Sequence, residues 1–394
     1  MATVECNEGV EEAGPANEVN IHLNEQALKM KKATRTFACL ALIAAVQIVY
    51  GQSKKADALA KGNQAVKLED EGKYEEALKL LDEAQKLDPD NYNYPYEISY
   101  AYYLQKNYTK AIEECKRVIQ YKNSDAQCYQ LLGGIYDDMG DSVNAIKAYD
   151  DGLKIFPKSG RLYLEKGNLY WNKEEYNKAL PFYEQGIEAD PGYPSNYYRA
   201  AKLYCASGER VWGMIYGELF MNLERGSKRT QEISKLLFNT YKSGIEFTSD
   251  TSLNISFSKN STIDVGDLKD PKKLKLPFGI GLYEPLIGMS IVTEKNIDIN
   301  SLDRIRTNFV EAYFKNGNNK KYPNVLFDYQ NEVLKAGHLE AYNHWILMKG
   351  DEEGFDKWIS ANKDKYDSFV TWFSKNQITI DGNHKFYSWQ YQEK

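Results

Sequence analysis

Between residues 58 and 225, small and large side chains recur at fixed offsets with a spacing of 34. Ala77, Ala111, Ala145, Ala179 and Gly213 form one column. Twelve positions before each stand Ala65, Ser99, Gly133, Gly167 and Ala201, and nine before each stand Leu68, Tyr102, Tyr136, Tyr170 and Tyr204. The small residue and the large one are three apart, hence on one helix face. Two helices approach closely only where side chains are small, and a ring from the neighbour then fills the remaining space. The pattern therefore predicts one helical hairpin per period. Pro89, Pro157 and Pro191, with Asn123 in the same column, end the second helix of a unit, because proline lacks an amide hydrogen and restricts the residue before it. Gly72, Gly140 and Gly208 fall between the two helices, where a left-handed turn is expected.

After residue 226 the period is lost. Ile233, Leu236, Leu237 and Tyr241 predict an amphipathic helix over 228–241, placed to cap the stack. Residues 245–265 alternate apolar and polar positions, with Leu253, Ile255 and Phe257 on one side, and predict a short β-hairpin. Residues 269–277, basic and interrupted by Pro271, read as a surface loop, and 279–288 holds too many glycines for a regular helix. Helical spacing returns at Leu302, Ile305, Phe309 and Tyr313, and short helices are expected over 326–336, 339–348, 355–361 and 366–373. A strand-like Ile378–Ile380 closes the pattern. The expected fold class is mainly α, with stacked helical hairpins followed by a mixed, mostly helical C-terminal region that carries the hairpin.

The repeating residues, in segments such as Gly133-Gly134-Ile135-Tyr136 and Gly167-Asn168-Leu169-Tyr170 followed by Ala145 or Ala179 and Pro157 or Pro191, resemble the tetratricopeptide repeat family. Units are read at about 58–91, 92–125, 126–159, 160–193 and a weakened 194–225. The resemblance implies a superhelix of hairpins whose concave side binds a segment of another protein. Residues fifteen, eleven and eight before each marker lie at i, i+4 and i+7 on the first helix and line that groove in the family. Here they are Tyr96, Tyr100 and Tyr103, then Gln130, Gly134 and Asp137, then Leu164, Asn168 and Trp171, then Tyr198 and Lys202, with Gln127 and Arg161 one turn earlier. Rings that bury apolar side chains, beside amides and hydroxyls that pair with a main chain, suit an extended peptide. The same inventory suits a sugar, with Tyr96, Tyr100, Tyr103 and Trp171 as stacking platforms. The groove is alternatively filled by the chain itself. The lysine, arginine and asparagine set with which chaperone-binding members clamp a C-terminal carboxylate is matched only by Asn168 and Lys202, while Gly62, Val66 and Tyr100 stand where it needs polar or basic residues. Chaperone-tail binding is not expected.

Charged residues make up 27% and apolar ones 42% of the 394 positions, as in globular proteins with a sizeable core. A formal charge of -6 supplies no basic field for nucleic acid. The apolar run from Phe37 to Tyr50, preceded by Lys31, Lys32 and Arg35, reads as a secretory signal at 30–51 cut before Gln52, and is shorter than the ~20 residues that span a bilayer. Translation is then expected to start at Met30, with 1–29 a mis-assigned start or tail. An uncleaved segment would instead anchor the protein in the inner membrane, facing the periplasm. Cys39 lies too early in the run for lipidation. The remaining Cys115, Cys128 and Cys205 are an odd number for an oxidising compartment. A Cys115–Cys128 bridge is geometrically open, but buried small apolar cysteine is the commoner use.

Catalytic spacing is absent from the sequence, with no Gly-x-Ser-x-Gly, phosphate loop, Cys-x-x-Cys or His-Glu-x-x-His. His338 and His344, six apart around Glu340, fall on different helix faces and read as ordinary surface or interface histidines. Asp351, Glu352 and Glu353 favour the start of a following helix. Trp345, Trp358 and Trp372 read as core. No catalytic residue, metal or cofactor is expected. The sequence is read as a non-catalytic scaffold or adaptor of a Gram-negative-type periplasm, bound to an envelope protein or peptide. A carbohydrate or small-ligand binder is the alternative, and an enzyme with its site in 226–394 a more remote one. N-terminal sequencing of the native protein is expected to begin at Gln52, and an intact Met1 would overturn cleavage.

Overall fold

The computed structural model describes residues 51–249, 252–259 and 276–391. Apart from Gly51, Leu276 and Pro277, the expected export signal and surface loop lie outside them. The chain divides into two compact units between Asn123 and Ser124. The first holds α1 (51–70), α2 (Tyr74–Leu87), α3 (Asn93–Leu104) and α4 (Tyr108–Val118) around Ala58, Ala65, Ala77, Leu81, Tyr94 and Ile98. The second opens with three more hairpins, α5 (Ala126–Asp138) with α6 (Ser142–Ile155), α7 (Gly160–Trp171) with α8 (Tyr176–Ala189), and α9 (Pro194–Cys205) with α10 (Arg210–Leu223).

One backbone device closes the first helix of four hairpins. Gly72, Lys106, Gly140 and Glu174 all take left-handed φ of 75°, 59°, 79° and 60°. In the first, Gly72 N donates to Glu69 O and Lys73 N to Leu68 O, and the same pair of bonds recurs 34, 68 and 102 residues later. This is a Schellman ending, which satisfies carbonyls that the helix leaves unpaired. Gly208 departs from the expectation. It is absent from the positive-φ residues, and its backbone instead packs against the Lys259 side chain and accepts Lys259 N at 2.9 Å.

The interhelical space is filled differently from what the sequence pattern suggests. A Cβ on Gly133 would meet the Tyr149 ring at 2.1 Å, and one on Gly167 the Tyr183 ring at 2.3 Å. The ring that closes over the small residue therefore stands four after the marker alanine, on the second helix. In the first unit the same place holds Cys115, whose Sγ lies 2.9 Å from Ser99 Oγ. The Cys115, Cys128 and Cys205 thiols are all buried, none in a disulfide, and burial pushes Cys128 up to about 11.

α11 (Lys228–Gly244) packs on α9 and α10, started by a capping box between Ser227 and Thr230. The expected hairpin follows as β1 (Ile245–Ser249) antiparallel to β2 (Ser252–Ile255), with Ile245 opposite Ile255. The segment 279–288 is helical after all, a wide π turn over Gly279–Tyr283 running into α12 (Glu284–Ser290). Its glycines serve close approach, since a Cβ on Gly279 would lie 2.3 Å from Ser258 Cβ and one on Gly281 2.6 Å from Leu276 Cβ. Then come α13 (Ile299–Lys315), α14 (Asn318–Lys321), α15 (Val325–Lys335), α16 (Leu339–Leu347), α17 (Glu352–Ala361) and α18 (Lys363–Lys375). Asp351 starts α17 by accepting Gly354 N at 3.0 Å. Residues 376–380 are not a strand; Ile378 is a buried apolar side chain with no ladder partner among the described residues.

The core of the second unit is continuous from Leu164 to Phe386 and includes Trp345 and Trp358, with Trp372 packed on it. The loss of the repeat at residue 226 is thus a change of pattern inside one core. His344 is buried too, stacked on Trp358 at 4.0 Å with Nδ1 at Glu340 O and Nε2 at Asn300 Oδ1, so it is a core residue rather than a surface one.

Gly167→Ala is expected to destabilise the second unit by about 1–3 kcal/mol, because Tyr183 must leave its place. Gly134→Ala, where nothing lies within 4 Å, is expected to stabilise the same unit by roughly 0.5–1 kcal/mol through helix propensity. Urea unfolding of both variants checks the opposite signs.

Candidate functional site

In the second unit the first helices of successive hairpins, α5, α7 and α9, contact one another and α11 follows them. Gln127, Gln130 and Asp137 stand on α5, Arg161, Asn168 and Trp171 on α7, and Tyr198 and Lys202 on α9. Three of these, Arg161, Gln130 and Asn168, join in one hydrogen-bonded chain through Glu165. Arg161 Nη1 donates to Gln130 Oε1 at 2.9 Å, and Gln130 Nε2 to Glu165 Oε1 at 2.6 Å. Asn168 Nδ2 donates to Glu165 Oε2 at 3.1 Å and accepts the Tyr183 hydroxyl on Oδ1 at 3.1 Å. Gln127 and Arg161 also share a shallow pocket of 480 Å³ with Phe156 and Lys158. Asp137 is half-buried, and burial raises its carboxyl above the usual range, with Asp138 adding to the shift and Lys173 opposing it.

Trp171 is the centre of a second group. The edges of Tyr176 and Tyr183 meet it at 5.4 and 6.4 Å, and the Arg199 guanidinium lies 4.6 Å over its face. The Lys202 ammonium is 6.0 Å from the same ring and donates to Glu232 Oε1 at 2.6 Å. Tyr198 is buried, contrary to its reading as a groove-lining ring. It packs on Phe220 at 5.3 Å, beneath Arg229, and its hydroxyl donates to Glu232. Burial pushes Glu232 upward, but the bonds from Lys202 and Tyr198 outweigh it and hold the carboxyl below its ordinary value.

The C-terminal segment lands elsewhere in this unit. Ser388 Oγ and the hydroxyls of Tyr204 and Tyr216 all bond Glu184 Oε1 on α8, and Lys385 Nζ reaches Glu188 O at 3.0 Å. The partners of Trp171, Tyr198 and Lys202 described above come from residues 171–232.

In the first unit Tyr96, Tyr100 and Tyr103 lie along α3. Tyr100 is exposed, the other two are half-buried, and the rings of Tyr100 and Tyr103 are 6.0 Å apart. Glu69, eight before Ala77 and so on the groove line of α1, is 5% exposed, and its Oε1 is buried without a hydrogen bond. Burial first, then the charges of Glu97 on α3 and of neighbouring Asp70, push its carboxyl up to about 8.

Glu165, Arg199, Glu232 and Glu69 were missed by the sequence reading. Glu165 and Arg199 stand fourteen before their markers, beside the groove line, and Glu232 is 34 after Tyr198. The period carried that signal. Among the described residues no group of three His, Cys, Asp or Glu is placed to hold a metal ion.

Each unit is built of helical hairpins, and in the second a polar and aromatic strip runs along their first helices. Models of the tetratricopeptide repeat match residues 68–135, 126–159 and 160–193. Residues 68–193 are tetratricopeptide repeats. It is 24% identical over 165 residues to the human protein O-mannosyl-transferase TMTC1, covering 41% of this chain and 19% of that protein. To Hsp70-Hsp90 organizing protein 3 of Arabidopsis thaliana it is 22% identical over 164 residues, 42% of this chain and 27% of that one. The chain thus spans 19% and 27% of the length of these two curated relatives. Among solved structures, MamA aligns with 41% of this chain and 94% of its own at 22% identity and a TM-score of 0.32. Pseudomonas aeruginosa pilF aligns with 48% and 86% at 16% identity and a TM-score of 0.39.

Glu69 gives a pH dependence of definite sign. Its carboxyl titrates near 4.5 when unfolded and near 8 when folded, so the native state binds the extra proton. Its contribution to stability is full below about 4.5 and is lost as pH rises to about 8, by at most ~1.4 kcal/mol per pH unit. Urea midpoints of Glu69→Gln are expected to change less between pH 5 and pH 8.5 than those of the wild type.

Proposed function

We propose that the protein is a non-catalytic adaptor that binds an extended segment of another protein along α5, α7 and α9. One observation carries this reading. Arg199 is half-buried with its guanidinium 4.6 Å over the Trp171 ring, and its side chain makes no hydrogen bond among the described residues. A guanidinium held against a ring with its donors unused offers a main-chain carbonyl or carboxylate several of them at little ordering cost. Gln127 and Arg161, in the pocket toward the other end of the strip, supply further polar groups for a segment lying across the helices. The cover of Arg199 over Trp171 weighs against the sugar-platform alternative, because that face is already occupied.

The reading of residues 30–51 as a cleaved export signal supports a periplasmic scaffold whose partner is an envelope protein. No helix among the described residues is long and apolar enough to cross a membrane.

Cross-linking in native envelopes, followed by mass spectrometry, tests the proposal on wild type beside an Arg161→Ala, Arg199→Ala double variant with unchanged far-ultraviolet circular dichroism. Partners captured by wild type are expected to fall at least tenfold in the variant, since truncating an interface arginine typically costs about 1–3 kcal/mol. An unchanged partner set would remove the strip from the binding site.

A further inference from the structure

In the first unit two acids from neighbouring helices come together without a cation. Gly62, Val66 and Glu69 lie at i, i+4 and i+7 along α1, and Tyr94 and Glu97 at i and i+3 on α3. The two lines run side by side. At one end a Cβ on Gly62 would stand 2.9 Å from the Tyr94 ring. At the other, burial first and then the charge of Glu97 raise the Glu69 carboxyl. Glu69 is 5% exposed, and its Oε1 is buried without a hydrogen bond. Glu97 is half-buried, and burial raises its carboxyl with no donor or cation opposing the shift. Lys61 on α1 is paired with Glu83 at 2.8 Å, and Lys73 at the start of α2 with Glu71 at 2.7 Å.

The residues flanking this pair are apolar or aromatic and open to solvent. Val66, three before Glu69, is 39% exposed, and Tyr100, three after Glu97, is 37% exposed, each on the same helix face as its acid. A buried carboxyl without a donor costs free energy that a bound cation offsets, and a ring beside it adds attraction for the same charge. The matching ligand has an alkyl stem with a cation at its tip, which is the chemistry of lysine. Its ammonium is a compact charge whose three donors rotate to reach carboxyls on separate helices, whereas the planar fork of arginine suits a single carboxylate met edge-on. We propose that the face shared by α1 and α3 binds a lysine side chain of a partner protein, its stem on Val66 and Tyr100 and its ammonium between Glu69 and Glu97. The site lies wholly in the first unit and stands whether or not the strip along α5, α7 and α9 binds a partner.

Binding at this place is linked to protons. Burial, then the charges of Glu97 on α3 and Asp70 on its own helix, keep a proton on Glu69 up to about pH 8. An ammonium seated beside it favours the ionised form, so the proton leaves as the cation enters and affinity rises with pH through this range. Exposed carboxylates are already ionised at pH 6 and give no such dependence. The linkage therefore separates this site from general attraction of a basic segment to a chain of formal charge -6.

Isothermal titration of the full chain with pentalysine at low ionic strength tests this. Saturable binding with Kd below roughly 1 mM is expected at pH 8.5, weakened about tenfold or more at pH 6. At pH 7 binding is expected to release a proton, read as a difference in heat between phosphate and Tris buffers. Glu69→Gln keeps the shape of the protonated acid and is expected to weaken binding at pH 8.5 by about fivefold or more, the loss of a hydrogen bond to a charge, and to remove the proton release. Glu97→Gln is expected to weaken binding likewise, and carries the test should Glu69→Gln not fold. Glu113→Gln, exposed on α4, removes the same charge and is expected to change affinity by less than about twofold. Absence of saturable binding at pH 8.5, a wild-type affinity constant between pH 6 and pH 8.5, unchanged affinity in Glu97→Gln, or an equal loss in Glu113→Gln would each overturn the assignment.

Discussion

Glu218 on α10 holds the last repeat hairpin to the helices that follow residue 284. Its two oxygens take the Arg306 guanidinium in a bidentate grip at 2.7 and 2.9 Å, and Oε1 also accepts Gln330 Nε2 at 2.6 Å and the Tyr342 hydroxyl at 2.8 Å. Arg306 Nε continues to Asn343 Oδ1 at 2.8 Å, and Asn222 Nδ2 bonds the Tyr342 hydroxyl at 2.7 Å. Both charges are about 95% out of water. Burial opposes the charged Arg306, but the Glu218 charge outweighs it and holds its pKa well above the ordinary value. Such a pair gives modest net stability when whole, because desolvation offsets most of the attraction. Its consequence is registry, since α10, α13, α15 and α16 meet in one arrangement that satisfies every donor around this carboxylate.

The position of Glu218 in the repeat explains how a regular stack acquires an irregular second half. It stands five after its marker, a column that reads Asp82, Lys116, Asp150, Glu184, Glu218 along the chain. Asp150 is a partly exposed ionic residue, paired with Lys166 at 2.6 Å. Glu184 is buried by the Tyr204 and Tyr216 hydroxyls and Ser388, and Glu218 by Arg306 and Gln330. One offset on the second helices therefore passes from solvent pairing to docking point as the chain proceeds. Residues 276–391 supply donors to carboxylates that the repeat already carried.

Much of this was legible in the sequence where the determinants are local. The 34-residue spacing, the helix ends before Pro89, Pro157 and Pro191, and the spacing of Leu302, Ile305, Phe309 and Tyr313 each report a neighbour within a few turns. The failures are long-range. Tyr149 and Tyr183 over Gly133 and Gly167 require knowing which ring of the partner helix faces the gap. Gly279 and Gly281 read as helix breakers because their neighbours, Ser258 and Leu276, are not visible in the segment itself. Ile378 alternates like a strand but pairs with no other strand among the described residues. Tyr198 lies on the groove line, yet the arrival of α11 with Arg229 and Glu232 buries it. Lys106 and Glu174 hide the turn geometry that Gly72 and Gly140 announce, since only the Schellman bonds, not the side chain, define the position.

The same distinction bears on recognition along the first helices. Lys202, Tyr198 and Glu232 close on themselves, as do Gln130, Glu165 and Asn168. A partner gains little by replacing a bond already made, because the exchanged hydrogen bonds are of similar strength. In the proposed adaptor reading, recognition energy would concentrate where a donor is held in place but unspent, as Arg199 is over Trp171. The surrounding closed pairs then act through geometry, fixing the rotamers of Trp171 and its neighbours before a partner arrives, so that less side-chain entropy is lost on binding.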